Sequence, residues 1–428
     1  MAALWRNTLL SLSLGLVCTQ SFALTIDQAW EAAKQTSPDY RIKQLKESQS
    51  QYGVSLSKSA LLPSLQGSAT TGWTKDGGNS NGYNISLNQS IWNSQNWAAL
   101  NQSQVDVVIA KIAITQAKNT LAEELIQAYF ALAQAQRSLS IAEQQRKDSQ
   151  QLLSLTEQRY KSGLIMSTGI DDAKAHVIGT ETTVLQRQSD LVEKQSELAI
   201  VINQTPDRVN EIDSQNLHQP ALAVNDEKAW LNKAKDNSPE LLIAKQNVKR
   251  QQLAVDQAQA GYYPTVNGSV GYSNNFDNNS EGMSASLGVS VPIDLNGAIK
   301  TKVSQSKLEL QIAKQQLRKV ELNLENNVKT RFNQLDLDWK RVEMGVEKVK
   351  SDEKALKTKE ILFNSGADGT TALDVINVQD TVYRSKEDLQ QLLYQYWLNR
   401  IELLKLTGQL NDQTITQLSQ ALMHDHTA

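Results

Sequence analysis

Two hydrophobic periods alternate along this chain, and they switch at corresponding places in its two halves. Across 283–293 the odd positions are Met283, Ala285, Leu287, Val289, Val291 and Ile293, while the even ones are Ser284, Ser286, Gly288, Ser290 and Pro292. Tyr83, Ile85, Leu87 and Ile91 alternate in the same way with Asn84, Ser86, Asn88 and Ser90. A period of two puts one face of a strand in an apolar medium and the other in water. The pattern predicts strands at about 64–74, 83–92, 265–275 and 283–293, each of the length a tilted strand needs to cross a bilayer. Leu65, Ala69 and Trp73 share one face of the first, and Val266, Val270 and Tyr272 one face of the third. Elsewhere the period is that of a coiled coil: Leu121, Leu125, Ala128, Leu132, Ala135, Leu139 and Ala142 step by four and three. No Gly or Pro interrupts 93–162, which predicts a rod roughly 105 Å long at 1.5 Å per residue. Such a rod projects from any globule this chain could form.

The order of elements is written twice. Ala29-Trp30 recurs as Ala229-Trp230, Ser37-Pro38 as Ser238-Pro239, and Gly67-Ser68 as Gly268-Ser269. Arg159-Tyr160-Lys161-Ser162-Gly163 corresponds to Leu362-Phe363-Asn364-Ser365-Gly366, at an offset that stays between 200 and 203 throughout. A constant offset over this length predicts an internal two-fold repeat, residues 24–215 and 226–411, joined by a linker at 216–225 around Pro220 and followed by a tail at 412–428. Each half reads as a helix, two strands, a very long helix, a break and a second long helix. The long helices are expected at about 94–162, 168–203, 297–365 and 371–408.

Composition narrows the function classes. The 428 residues hold only 7 Pro and 20 Gly, with the Gly crowded around 67–82 and 261–297; an α/β enzyme needs turn residues far more evenly spread. A net charge of −3 with no basic stripe argues against nucleic acid as a partner. No apolar run reaches the length of a transmembrane helix. The start reads as a secretory signal peptide over 1–23, with Arg6, the apolar stretch Thr8–Cys18 and Ser21-Phe22-Ala23 before the cleavage point. Cys18 follows the bulky Val17, which disfavours lipidation, and cleavage would remove the only Cys. The exported chain then has no disulfide.

Four membrane-length strands cannot close a barrel, and open edges cannot face lipid. If these strands enter a membrane, several copies must close the sheet together. The other possibility is a small soluble sandwich on a periplasmic helical scaffold or adaptor. Signal peptide, internal repeat, strand pairs between very long helices, and an Arg-Tyr-x-x-Gly turn before an Asp-bearing helix together resemble the TolC family of outer-membrane channel-tunnels. The resemblance covers essentially the whole mature chain. It implies an α+β, predominantly α protein: a homotrimer whose twelve strands form one outer-membrane β-barrel, continued by a long α-helical barrel in the periplasm of a Gram-negative bacterium. It further implies outer-membrane lipid around the barrel and docking to a periplasmic adaptor (membrane fusion) protein. An inner-membrane pump of the RND or ABC type would complete an efflux or type I secretion system.

Site residues follow from the same resemblance. Asp171 and Asp374 occupy corresponding places after the breaks between the long helices, where the family carries an acidic ring that gates the tunnel mouth and favours cations. A first-turn acid stabilised by its own helix dipole is the plainer reading of both. The family's second acid one turn on is Asn377 here, and its Tyr and Arg latch positions read as Phe363 and Asp368. Phe363 cannot donate a hydrogen bond, so any latch must differ. Gly163, Leu164, Gly366 and Ala367 are the natural adaptor contacts. No catalytic motif occurs, so neither an enzyme nor a cofactor is expected. No metal is expected either: His424-x-His426 lies on a tail expected to be frayed.

Overall fold

Thr25, Ser37, Asp226 and Ser238 set where the helices opening each half begin. The computed structural model describes residues 23–75, 78–212, 226–277, 279–366 and 369–424. Nearly all of the expected signal peptide, the 216–225 linker, Ala367, Asp368 and His426 lie outside the described residues. Helix α1 (Ile26–Thr36) starts in a reciprocal capping box between Thr25 and Gln28. Ser37 ends it and caps α2 (Pro38–Ser59). The single helix expected before each strand pair is therefore two helices, because Pro38 has no N–H with which to continue α1 but fits the first position of α2.

The four strands are β1 (Ser64–Thr74), β2 (Gly78–Trp92), β3 (Thr265–Asn275) and β4 (Ser280–Ser290). They form one antiparallel sheet in the order β1-β2-β3-β4. Strand β2 starts five residues before the expected 83, while β4 spans 280–290 instead of 283–293. The β3 partner is exhausted at Thr265, opposite Ser290, and Pro292 has no N–H to extend the ladder. Register lines Leu65, Leu87, Val270 and Ala285 across one face, and Gln66, Ser86, Gly271 and Ser284 across the other. The apolar face is open to its surroundings: Met283 is 79% exposed and Leu287 70%.

Two very long helices leave the sheet. Asn93 caps α3 (Ser94–Lys161, 68 residues), which packs on α4 (Thr168–Ile202, 35 residues). In the second half α5 (Glu227–Asn237) and α6 (Pro239–Gln259) repeat the opening pair, with Ser238 capping ahead of Pro239. Then α7 (Ala298–Ser365, 68 residues) packs on α8 (Ala372–Leu406, 35 residues). At 1.5 Å per residue each 68-residue helix is about 100 Å long. Among the described residues no helix is long and apolar enough to cross a membrane.

The main core lies partway along the rods. It gathers Trp30, Leu125, Tyr129, Leu198, Trp230, Val328, Trp339, Leu393 and Tyr396 from six helices. The Trp339 and Tyr396 rings meet edge to face at 5.2 Å. Residues 412–424 of the expected tail form a helix. Helix α9 (Asp412–His424) packs on α1, where Asp412 accepts from Trp30 Nε1 at 2.6 Å and pairs with Lys118 at 2.7 Å. Burial opposes the Asp412 charge, but the hydrogen bonds from Lys118 and Trp30 outweigh it and hold the carboxyl at about 2.

Candidate functional site

The two long hairpins turn at their tips through glycines in the left-handed region. Gly163, with φ of 72°, follows α3, and Leu164 N–H reaches back to the Arg159 carbonyl at 3.0 Å. Gly366, with φ of 71°, ends α7, its N–H donating to the Phe363 carbonyl at 3.2 Å. An L side chain would be strained at either position. Leu164 and Met166 stand exposed on the first turn, and Leu373 on the side of α8 just past the second.

Asp374 sits at the third position of α8 in a reciprocal capping box with Thr371. Its carboxylate accepts from Thr371 N–H at 2.9 Å and from Thr371 Oγ1 at 2.7 Å, while Thr371 Oγ1 accepts from Asp374 N–H at 3.3 Å. The backbone bond from Thr371, then its hydroxyl, hold the Asp374 carboxyl below the usual carboxylate range. Asp171 lies exposed in the first turn of α4. Asn377 is exposed one turn beyond the α8 start. The structure thus places Asp171 and Asp374 at matching helix starts on separate hairpins.

Near the tips, Phe363 joins the two hairpins. It is 1% exposed, in a small apolar cluster with Leu152 of α3 and Ala372, Val375 and Ile376 of α8. The Arg159 guanidinium stacks over its ring at 4.7 Å, a cation–π contact that joins the end of α3 to the end of α7. Arg159 Nε and Nη1 are buried without a hydrogen-bond partner among the described residues. A Cβ on Gly366 would come within 3.3 Å of Arg159 Nη2, so a small residue leaves the guanidinium its place.

Sequence reasoning missed Arg159 as a contact of Phe363, since 204 positions separate the two, and it missed the polar seam above them. Gln145 and Asp148 of α3 hydrogen-bond Asp380 and Tyr383 of α8. Higher still, Arg187 of α4 grips Glu387 of α8 with one amino group, at 2.9 and 3.0 Å from its two oxygens. No local pattern pairs 145 and 148 with 380 and 383, 235 positions away. Among the described residues no group of His, Cys, Asp and Glu could hold a metal ion.

The sequence profile of the outer membrane efflux protein family matches residues 29–204 and 230–409. The chain is 25% identical to outer membrane protein TolC of Escherichia coli, over 97% of its own length and 88% of that protein's. It is 20% identical to the proteases secretion protein PrtF of Dickeya chrysanthemi, over 97% and 94% of the two lengths. Its fold overlays the solved structure of CusC, described there as undergoing conformational changes that accompany folding and transmembrane channel formation. The TM-score is 0.79 at 16% identity, covering 90% of this chain and 92% of that one. A profile that runs through both long hairpins, on a helical fold with one small sheet, makes the chain a member of the outer membrane efflux protein family, an outer-membrane channel protein that extends into the periplasm.

Proposed function

We propose that this chain is the exit duct of a tripartite efflux pump or type I secretion system. As a homotrimer it passively conducts substrates across the periplasm and the outer membrane. The carrying observation is a four-stranded sheet with open β1 and β4 edges, apolar on one face and rich in Ser, Asn and Gly on the other, continued by two 68-residue helices. Edges of this kind find partners only in further copies. Three copies supply twelve strands, a barrel with lipid outside and water within. Heptad-spaced apolar residues left exposed on the rods, Ile178, Leu185 and Val192 on α4 and Leu337 and Met344 on α7, are the faces the copies would cover.

The two halves, 24–215 and 226–411, are read as a duplication, which the equal lengths of α3 and α7 and of α4 and α8 support. The tips, with Gly163, exposed Leu164 and Gly366, are the face offered to a periplasmic adaptor that links the duct to an inner-membrane pump of the RND or ABC type. Asp374 and Asp171, three of each in the trimer, line the mouth and favour cations. An aspartate is ionised at neutral pH in any case, and Thr371 holds the Asp374 carboxyl lower still.

Purified protein should migrate as a trimer and, in planar bilayers, carry a cation-preferring current. A monomer that carries no current would remove the proposal.

A further inference from the structure

Strand β4 stops pairing at Ser290, opposite Thr265, but its alternation does not stop there. Val291, Ile293 and Leu295 continue the odd-numbered row of Met283, Leu287 and Val289. All three are exposed, Ile293 by 78% and Leu295 by 93%, while Pro292 and Asp294 between them are partly covered. The apolar row therefore runs on past the last ladder pair of the sheet, with no strand beside it among the described residues.

Polar side chains hold this segment in shape. Asp294 turns back onto the start of α7, its carboxylate accepting from Ile299 N–H at 3.2 Å and from Lys300 N–H at 2.9 Å. Asn296 Oδ1 accepts from Ala298 N–H at 3.1 Å, and Leu295 N–H donates to the Ile293 carbonyl at 3.1 Å. The polar groups thus serve the first N–H groups of the helix they precede. A formed loop that presents three large apolar side chains and covers none of them is an interaction surface.

The corresponding junction of the first half is built differently. Asn93 caps α3 directly after Trp92, so no such loop exists. Instead the β2–β3 register shifts between Ser90 and Trp92. Trp92 comes opposite Val266 of the apolar face, and a Cβ on Gly268 of that face would lie 3.1 Å from Ile91 Cδ1. Tyr262 and Tyr263 are exposed at the same end of the sheet. Beyond it, Lys300 and Lys302 are exposed in the opening turns of α7, where the dipole of the helix disfavours cations. Apolar side chains, then aromatics, then lysines is the order in which acyl chains, headgroup boundary and phosphates follow one another at the edge of a phospholipid leaflet. A further copy added at the β4 edge would leave the row open, because strand side chains stand out of the plane of a sheet and not along its edge.

We propose that residues 291–295 are a preformed membrane anchor. It enters the periplasmic leaflet of the outer membrane beside the barrel strands, takes phospholipid acyl chains against Val291, Ile293 and Leu295, and fixes the height at which α7 leaves the bilayer. The proposal rests on reading the sheet as part of a lipid-facing barrel.

Cys18 is the only cysteine of the chain and lies in the expected signal peptide, so a cysteine placed further on can be labelled alone. Ile293→Cys, Leu295→Cys, Leu287→Cys and Ser304→Cys are each labelled with an environment-sensitive fluorophore. The purified proteins are reconstituted in phosphatidylethanolamine/phosphatidylglycerol vesicles. Lipids brominated on their acyl chains should quench the labels at 293 and 295 as they quench the one at 287. At 295 the loss should be greatest with bromines near the glycerol end. The label at 304, in α7, should keep its intensity. Val289→Cys, in the same exposed row, replaces Leu287→Cys if that variant does not assemble. Quenching on the strand but at neither 293 nor 295 overturns the anchor alone. A Leu295→Cys that crosslinks two copies does so too, and gives the surface to the neighbouring subunit. No quenching on the strand overturns the lipid-facing barrel and the anchor with it.

Discussion

The carboxylate of Asp374 is held by its own helix, through the backbone and side chain of Thr371, and the same carboxylate is the charge proposed for the mouth. Two substitutions separate these roles. Thr371→Ala removes the cap and should cost about 1 kcal/mol at the start of α8, seen as faster amide exchange over residues 372–375, while the charge remains. Asp374→Asn keeps an acceptor for Thr371 but removes the charge, so it should lower cation preference with α8 intact. Equal selectivity in Asp374→Asn and wild type would move the gate charge elsewhere. The cap was legible in the sequence, because Thr-x-x-Asp ahead of an apolar run is a helix-start signature. Arg159 over Phe363 was not legible, since no local pattern announces which guanidinium a distant ring will meet. The substitution of Phe for the family's Tyr, read from sequence as a lost latch, turns out to coincide with an apolar cluster and a cation–π contact.

Elements divide along a similar line. The shafts could be read because 93–162 lacks both Gly and Pro, the strongest helix breakers, and the strands because their alternation has no helical interpretation. The division of the opening helix was equally written in Ser37-Pro38 and Ser238-Pro239, whose capping role requires no tertiary partner. Helix α9 is a different case. It packs against α1, and its first residue is bound to Trp30, 382 positions away, which no local signal in 412–428 discloses. A pH effect belongs to this element. The Asp412 carboxyl titrates at about 2 in the fold, against an ordinary value of 3.8. Its contribution to stability is therefore complete above the ordinary value and is lost as pH falls from there towards 2. Tryptophan fluorescence reporting on Trp30 should change over that acidic window in wild type. In Asp412→Asn it should change much less, because the paired charge is gone at every pH.

At the scale of the whole molecule, the proposed barrel accounts for a sheet whose edges and apolar face are open. Leu287 and Ser286 are adjacent on β4 yet point to opposite faces, one open and apolar, the other in a Ser269–Ser286 hydrogen bond at 2.7 Å. In a closed barrel Leu287→Lys should cost roughly 2–4 kcal/mol if it lies near the membrane midplane, measured as loss of assembled trimer from the outer-membrane fraction. Ser286→Lys, facing water, should assemble normally. Equal loss in both would argue against a lipid-facing row. The number of copies in the proposed barrel was not legible in one chain, whose four strands show only two open edges. The matched rods carry a last consequence. Helices α3 and α7 are each 68 residues long, and their return partners α4 and α8 are each 35. Lengthening one member of such a set by a single residue rotates its seam by about 100° and turns its core face outwards. The shaft is thus a gauge of fixed reach, adjustable only in whole heptads added to all its walls together, and whatever meets its tips must come to them.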